Sequence, residues 1–147
     1  MRGHWPVLLL VSAAAGLVAC DQTDPIYAAS SDLDDSGDVL DEEPPVIEHE
    51  PMDAPHSASN SLSILATMLD DTGILVAGLH FRTQTELTWQ QRGMAQLGPE
   101  LWQATLDSGD LTTAGMHYYL EAVDLAGNIA VLPEEAPFEY FKFDLVD

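Results

Sequence analysis

The chain contains a single cysteine, Cys20, and its position limits what that thiol can do. A lone cysteine cannot form a disulfide within the chain, so a domain held together by disulfides is excluded. Cys20 follows the apolar residues 7–19, VLLLVSAAAGLVA, and Arg2 precedes them. This segment has the length of a signal-peptide core and is shorter than the roughly 20 residues of a membrane helix. We expect residues 1–19 to be a signal peptide.

Carboxylates are the second group of side chains that could do chemistry. Residues 32–43, DLDDSGDVLDEE, resemble an EF-hand calcium loop. The resemblance assigns Asp32, Asp34 and Ser36 to ligand positions one, three and five, and Glu43 to the bidentate last position. The prolines at positions 44 and 45 oppose the helix that normally leaves such a loop. The competing and favoured interpretation is a solvated acidic linker.

A second set of oxygen ligands falls in two predicted turns. One turn contains Asp70 and Asp71, and the other runs from Asp124 to Asn128. If consecutive strands run up and down, both turns lie at the same end of the domain. The four side chains would then suit Ca²⁺ better than Zn²⁺. The alternative, which we favour, is that each residue makes hydrogen bonds only within its own turn.

The sequence offers little for catalysis. No serine lies in a nucleophile-elbow pattern, and the histidines show no HExxH-type spacing. We therefore expect no enzymatic activity and no cofactor, with calcium as the one ligand left open. The histidines after Cys20 are His49, His56, His80 and His117.

The residues around the cysteine, Leu17-Val18-Ala19-Cys20, resemble a bacterial lipobox. The resemblance implies cleavage before Cys20 and attachment of diacylglycerol to its thiol, as in palmitate-carrying lipoproteins. Two or three acyl chains, at about 0.8 kcal/mol per buried CH₂, anchor a protein stably to a membrane. The resemblance also implies a place in the bacterial cell envelope. Asp21 is similar to an inner-membrane retention signal, which favours the periplasmic face of that membrane over the outer membrane.

Charge separates the remaining chain into two regions. All 25 acidic residues and three of the four basic residues follow Cys20, so the processed chain carries about −22. Such a charge repels nucleic acid, and we expect no nucleic-acid partner. Residues 20–43 are acidic and poor in large apolar groups, which predicts a lipidated, disordered stalk. Residues 44–147 form the predicted domain.

Alternation with a period of two marks the strands of that domain. In residues 62–69 the predicted inward face is Leu62, Ile64, Ala66 and Met68. The following strands are predicted to bury alternate residues in the same way. Their predicted inward residues are Ala77, Leu79 and Phe81; Trp102, Ala104 and Leu106; and Met116, Tyr118, Leu120 and Ala122. His80 and Arg82 are predicted to lie on the outward face of their strand. Residues 87–91 are assigned to a further strand, and residues 129–132 and 138–145 to a final strand interrupted at residues 133–137. Turns every 8–12 residues predict an all-β sandwich of about seven strands.

The segments DDTG and YYLEAVDLAGN, within residues 44–145, resemble immunoglobulin-like or fibronectin type III-like domains of bacterial surface proteins. The resemblance implies a binding or spacer role without an active site. We expect Tyr118 to be a tyrosine corner, with a buried ring and a hydroxyl bonded to nearby backbone. Trp89 and Trp102 are expected to pack in the core or on a sheet face. The leading hypothesis is a membrane-anchored module that binds protein or glycan. The alternatives are an accessory subunit of an envelope complex and a calcium-responsive module.

Overall fold

The alternating pattern of the sequence forms antiparallel strands in the computed structural model, which describes residues 41–147. The predicted signal peptide, the lipobox and most of the predicted stalk lie outside these residues. Eleven β segments are present in the described part of the chain. They are β1 (Val46–Glu48), β2 (His56–Ser57), β3 (Leu62–Leu69), β4 (Ile74–Thr83), β5 (Gln90–Gly93), β6 (Ala95–Gln96), β7 (Leu101–Leu106), β8 (Met116–Asp124), β9 (Ile129–Leu132), β10 (Phe141–Phe143) and β11 (Leu145–Val146).

Two antiparallel sheets make up the body of the domain. The first has the order β1-β3-β7-β6, and the second has the order β10-β8-β4-β5. Strand β9 also pairs with β8, beyond the end of β10. A short parallel pair joins β11 to β2. The all-β sandwich predicted from the sequence is confirmed.

The core lies between the inward faces of these sheets. Leu79, Leu106 and Leu120 are completely buried, and they come from three different strands. The inward residues predicted for β4, β7 and β8 all belong to this core, as do Ile64, Ala66 and Met68 of β3, while Leu62 packs against it half-buried. Alternation places these residues on one side of each strand, and burial of that side provides the main stabilising contribution. Trp102 belongs to this core.

Two strand predictions were wrong in detail. Strand β5 begins at Gln90, so Leu87 lies in the preceding loop, where it is 90% exposed. The last predicted strand is divided into β9, β10 and β11, and Phe138 lies outside all three and is 88% exposed. Both errors concern short, irregular segments near strand ends, where apolar character alone does not show whether a partner strand is present.

The domain begins earlier than the predicted boundary at residue 44. The backbone carbonyls of Asp41 and Glu43 accept hydrogen bonds from Asn128 Nδ2 at 2.9 and 3.3 Å. Residues 41–43 therefore belong to the domain and not to the stalk. Across residues 41–147, no helix has the length and apolar character needed to cross a membrane.

Candidate interaction face

The outer face of the second sheet carries an unusual group of aromatic and cationic side chains. Residues that alternate with the buried ones in β4 and β8 point away from the core, and they include His80, Arg82, His117 and Tyr119. The register places His80 opposite Tyr119 and Arg82 opposite His117. Lys142 of β10 pairs with His117, so the group extends across three strands. We call these residues, together with Trp89 and Tyr140, the aromatic–cationic face.

Arg82 lies at the centre of this face. Its Cζ is 4.2 Å from the centroid of the Trp89 ring and 5.2 Å from that of Tyr140. Its Nη1 donates a hydrogen bond of 3.3 Å to the carbonyl of Leu87. A guanidinium held over aromatic rings keeps its charge while losing part of its hydration. The two rings therefore orient the Arg82 cation at the sheet surface.

The remaining rings support this arrangement. His80 stacks on Tyr119 with centroids 4.4 Å apart and planes 3° from parallel. His117 lies 4.4 Å from Tyr140, and Trp89 meets the edge of Tyr119 at 4.9 Å. Lys142 Nζ is 5.2 Å from the Tyr140 centroid. The rings form one connected layer that covers the outside of the sheet.

Electrostatics on this face differ from those of the chain as a whole. Burial, Arg82 and Lys142 all lower the pKa of His117, in that order of importance. The pKa falls because burial disfavours the charged imidazolium, and the positive charges of Arg82 and Lys142 disfavour it further. Glu121 Oε1 lies 3.5 Å from His80 Nε2 at the side of the face. The face is thus a locally positive region on a strongly acidic protein.

The predicted turn cluster is brought together at the end of the domain where the chain enters. Strand pairing aligns Ile74 with Asp124, and the Leu125 N–H donates to the Gly73 carbonyl at 3.0 Å. Asp124 is completely buried, and its Oδ1 accepts from the backbone of Gly127 and Asn128 at 2.6 and 2.8 Å. Asn128 Nδ2 donates to Asp124 Oδ2 at 2.8 Å. These bonds lie within the turn, whereas Asn128 Nδ2 also donates to the carbonyls of Asp41 and Glu43 outside it.

Burial opposes ionisation of Asp124, but the bonds from Asn128 and Gly127 outweigh it and lower the pKa of the carboxyl. A carboxylate that accepts several N–H bonds stays ionised, and its lone pairs are occupied. Its role in the described structure is to hold the turn together.

Asp70 holds the neighbouring turn in the same manner. Its Oδ1 accepts from the backbone of Thr72 and Gly73 at 3.0 and 2.8 Å, and Gly73 has a φ of 102°. Asp41, Asp70 and Asp71 each bring one carboxylate oxygen within 4.8 Å of the others. Asp41 was not part of the predicted turn cluster. It lies beside Asp70 and Asp71, and its Oδ2 accepts a hydrogen bond of 3.0 Å from Thr72 Oγ1.

The stalk loop predicted as a second calcium site lies mostly outside the described residues. Asp32, Asp34 and Ser36 fall there, as do Leu17, Val18, Ala19, Cys20 and Asp21 of the predicted anchor. Glu43 is described and is exposed, with its N–H donating to Asp41 Oδ1 at 2.9 Å.

Tyr118 is completely buried, and its hydroxyl contacts are more distant in sequence than predicted. The oxygen accepts the Met52 N–H at 3.3 Å, and His49 Nε2 lies 2.8 Å away. The predicted backbone partner is therefore present, but 66 residues upstream. His49, which the sequence analysis did not place, connects β1 to the core.

His80 and Arg82 face outward, as the alternation in β4 predicts, but alternation alone does not predict the aromatic–cationic face. Trp89 was expected to pack, and it does so on the sheet surface. A signal was present in the sequence: of the three basic residues after Cys20, Arg82 and Lys142 both fall at outward strand positions.

Comparisons with known proteins add little to these observations. No protein-family model matches the chain. No curated protein sequence matches it. Among solved structures, it is similar to an engineered protein (TM-score 0.49, 14% identity), over 70% of this chain and 20% of the other. It is also similar to an endo-β-1,4-mannanase from Thermotoga petrophila (TM-score 0.49, 13% identity), over 80% of this chain and 22% of the other. The chain thus spans about a fifth of the length of each structure, and neither likeness assigns a family or an activity.

Proposed function

We propose that this protein is a lipoprotein of the bacterial cell envelope, anchored by lipid on Cys20, that presents one immunoglobulin-like module for interaction. The observation that carries the proposal is the only cysteine of the chain, placed at the end of an apolar segment in Leu17-Val18-Ala19-Cys20. A free thiol has no other evident use here. The module acts by binding and not by catalysis.

The geometry of the domain supports a presenting role. The chain enters at Asp41, beside the turns that precede β4 and follow β8. Strand β4 runs away from that end, and Arg82 lies near its far end at Thr83. Ten residues of strand span roughly 30 Å at about 3.3 Å per residue. Arg82, the centre of the aromatic–cationic face, therefore lies at the end of β4 that is remote from Asp41, where the tether joins the domain.

Fractionation of bacterial cells tests the anchor. Wild-type protein should enter the detergent phase, and the mass of its N-terminal peptide should show acyl chains on Cys20. The Cys20→Ser variant should move to the soluble fraction. Ala19→Gly keeps a small residue before the cysteine and is the matched control, which should remain in the membrane. Equal membrane partition of Cys20→Ser and wild type would contradict the proposal.

A second candidate function is an accessory subunit of an envelope complex. It is favoured by the exposed apolar side chains on the described domain, above all Leu87 and Phe138, at 90% and 88% exposure. Exposed apolar groups beside aromatic ones are typical of surfaces that pack against another protein. Crosslinking in intact membranes tests this candidate: a single crosslinked product of fixed mass is expected for a stable complex, and a monomer alone would reject it.

A further inference from the structure

Two cations on the aromatic–cationic face have no acidic partner among residues 41–147, although the protein has 25 acidic residues. Within residues 41–147, the salt bridges involve His80 and Arg92, and neither Arg82 nor Lys142 takes part in one. Arg92, the third basic residue after Cys20, pairs with Asp107 and Asp110 at 3.7 and 3.0 Å. Arg82 and Lys142 are instead held against aromatic rings.

The packing of this face also departs from what folding alone requires. Arg82 Nε and His117 Nδ1 are buried, and neither has a hydrogen-bond partner in the described part of the chain. Each buried polar atom without a partner costs stability. Such local conflicts concentrate at surfaces that serve another purpose than stability. Of the four such atoms in residues 41–147, these two and His80 Nε2 lie on the same side of the sheet as the unpaired cations, and the fourth is Trp102 Nε1 in the core.

Two strongly exposed apolar residues lie close in the chain to members of this face. Leu87, whose carbonyl is bonded to Arg82, is 90% exposed, and Phe138, two residues before Tyr140, is 88% exposed. Arg, Trp and Tyr are also the residue types that dominate binding energy at protein interfaces. Together they provide a positive centre with apolar flanks.

We propose that the aromatic–cationic face is a docking site for an acidic segment of a partner protein, whose carboxylates bind Arg82 and Lys142 while its apolar side chains contact Leu87 and Phe138. The inference rests on the proposed function, since it names the partner class of the presented module. Charge complementarity identifies the occupant as anionic. The apolar flanks require that it also carry apolar side chains.

Two other occupants fit less well. A sugar ring stacks on an open aromatic face, whereas the Arg82 guanidinium already covers the Trp89 ring. An extended anionic membrane would meet the acidic surface around the face as well as the face itself, on a chain of net charge −21, whereas a short acidic segment contacts the face alone. Arg82 also lies near the end of β4 that is remote from Asp41, where the tether joins.

Binding to a short acidic peptide tests the proposal with purified full-length protein in detergent. The probe is acetyl-Asp-Glu-Phe-Glu-Asp-amide, and the control peptide is acetyl-Asn-Gln-Phe-Gln-Asn-amide. The acidic probe should bind saturably and shift the NMR signals of the Trp89 indole and the His117 imidazole. A nearby carboxylate favours the imidazolium, so the bound probe should raise the pKa of His117. The amide peptide should leave both signals unchanged.

Variants locate the site. Arg82→Gln should weaken probe binding at least about tenfold, and Lys142→Gln about threefold, as expected for a central and a peripheral charge. Arg92→Gln removes the same charge from a paired position and should leave binding within about twofold of wild type. Melting curves confirm that each variant is folded. Because each variant lacks one positive charge, a general electrostatic effect would weaken probe binding equally in all three.

The results that overturn the proposal are distinct from failure of the lipid anchor, which fractionation measures separately. Lack of saturable binding at millimolar probe would overturn it, as would equal binding to Arg82→Gln and Arg92→Gln. Stronger binding of polygalacturonate, or of vesicles rich in phosphatidylglycerol, would also overturn it in favour of a glycan or a membrane. If wild type and Cys20→Ser were both in the soluble fraction, while Arg82→Gln still weakened probe binding, only the proposed lipid anchor would be refuted.

Discussion

The hydroxyl of Tyr118 should contribute measurably to stability, because it connects the N-terminal segment of the domain to the core. His49 Nδ1 lies 2.6 Å from the Leu65 carbonyl, which can only accept, so Nδ1 carries the proton. His49 Nε2 is then an acceptor and receives the Tyr118 O–H, while the Tyr118 oxygen accepts the Met52 N–H. Burial raises the pKa of Tyr118 to about 12, so this donor is present at neutral pH.

Tyr118→Phe removes the hydroxyl and keeps the buried ring. Two hydrogen bonds are lost, each with a net value of about 0.5 to 1.5 kcal/mol, and the Met52 N–H is left without its partner. The expected loss is about 2 kcal/mol. For a domain near 100 residues, 1 kcal/mol corresponds to roughly 4 to 8 °C, so the Tm should fall by about 10 °C. Tyr118→Ala also removes the ring and should cost about 3 to 5 kcal/mol.

Thermal unfolding followed by near-ultraviolet circular dichroism measures these differences. Tyr119→Phe is the matched control, since Tyr119 is the next residue and points to the opposite side of the sheet. Its Tm should change little, by the equivalent of about 0.5 kcal/mol or less. A double-mutant cycle with His49→Gln should give a coupling of at least about 0.5 kcal/mol. Equal Tm values for Tyr118→Phe and Tyr119→Phe would refute this account of the hydroxyl.

Three further predictions concern pH and the turns. Burial lowers the pKa of His49 from 6.5, so the unfolded state binds the extra proton more readily. Stability should therefore fall as the pH drops from 6.5 towards the lower pKa of the folded state. Urea titrations at pH 7 and pH 5 should show a smaller loss of unfolding free energy for His49→Gln than for wild type. Asp124→Ala should lower the Tm more than Asp71→Asn, because only Asp124 holds its turn through buried hydrogen bonds. Millimolar Ca²⁺ should raise the Tm by no more than about 2 °C, since the Asp124 carboxylate is occupied within its turn; a larger rise that Asp71→Asn abolishes would instead assign an ion to Asp41, Asp70 and Asp71.

Strand faces could be predicted because they depend on a local property. In β3 and β8 the alternation of apolar residues alone identified Ile64 and Leu120 as buried, since a strand turns successive side chains to opposite sides. The same logic placed His80 and Arg82 outside. Alternation gave the wrong result at Leu87 and Phe138, because residue type alone does not distinguish an apolar residue in a loop from one in a strand.

The lone cysteine, its apolar leader and the acidic charge of the chain were determined by the sequence itself, because composition and spacing along the chain are sufficient to define them. Contacts between residues far apart in sequence were decided by the tertiary structure. Register across β4, β8 and β10 brought Arg82, His117 and Lys142 onto one face. Folding likewise placed Asn128 against Asp41, 87 residues earlier. Alternation fixes which face of each strand is buried, but which strands become neighbours is decided only when those faces pack together in the core.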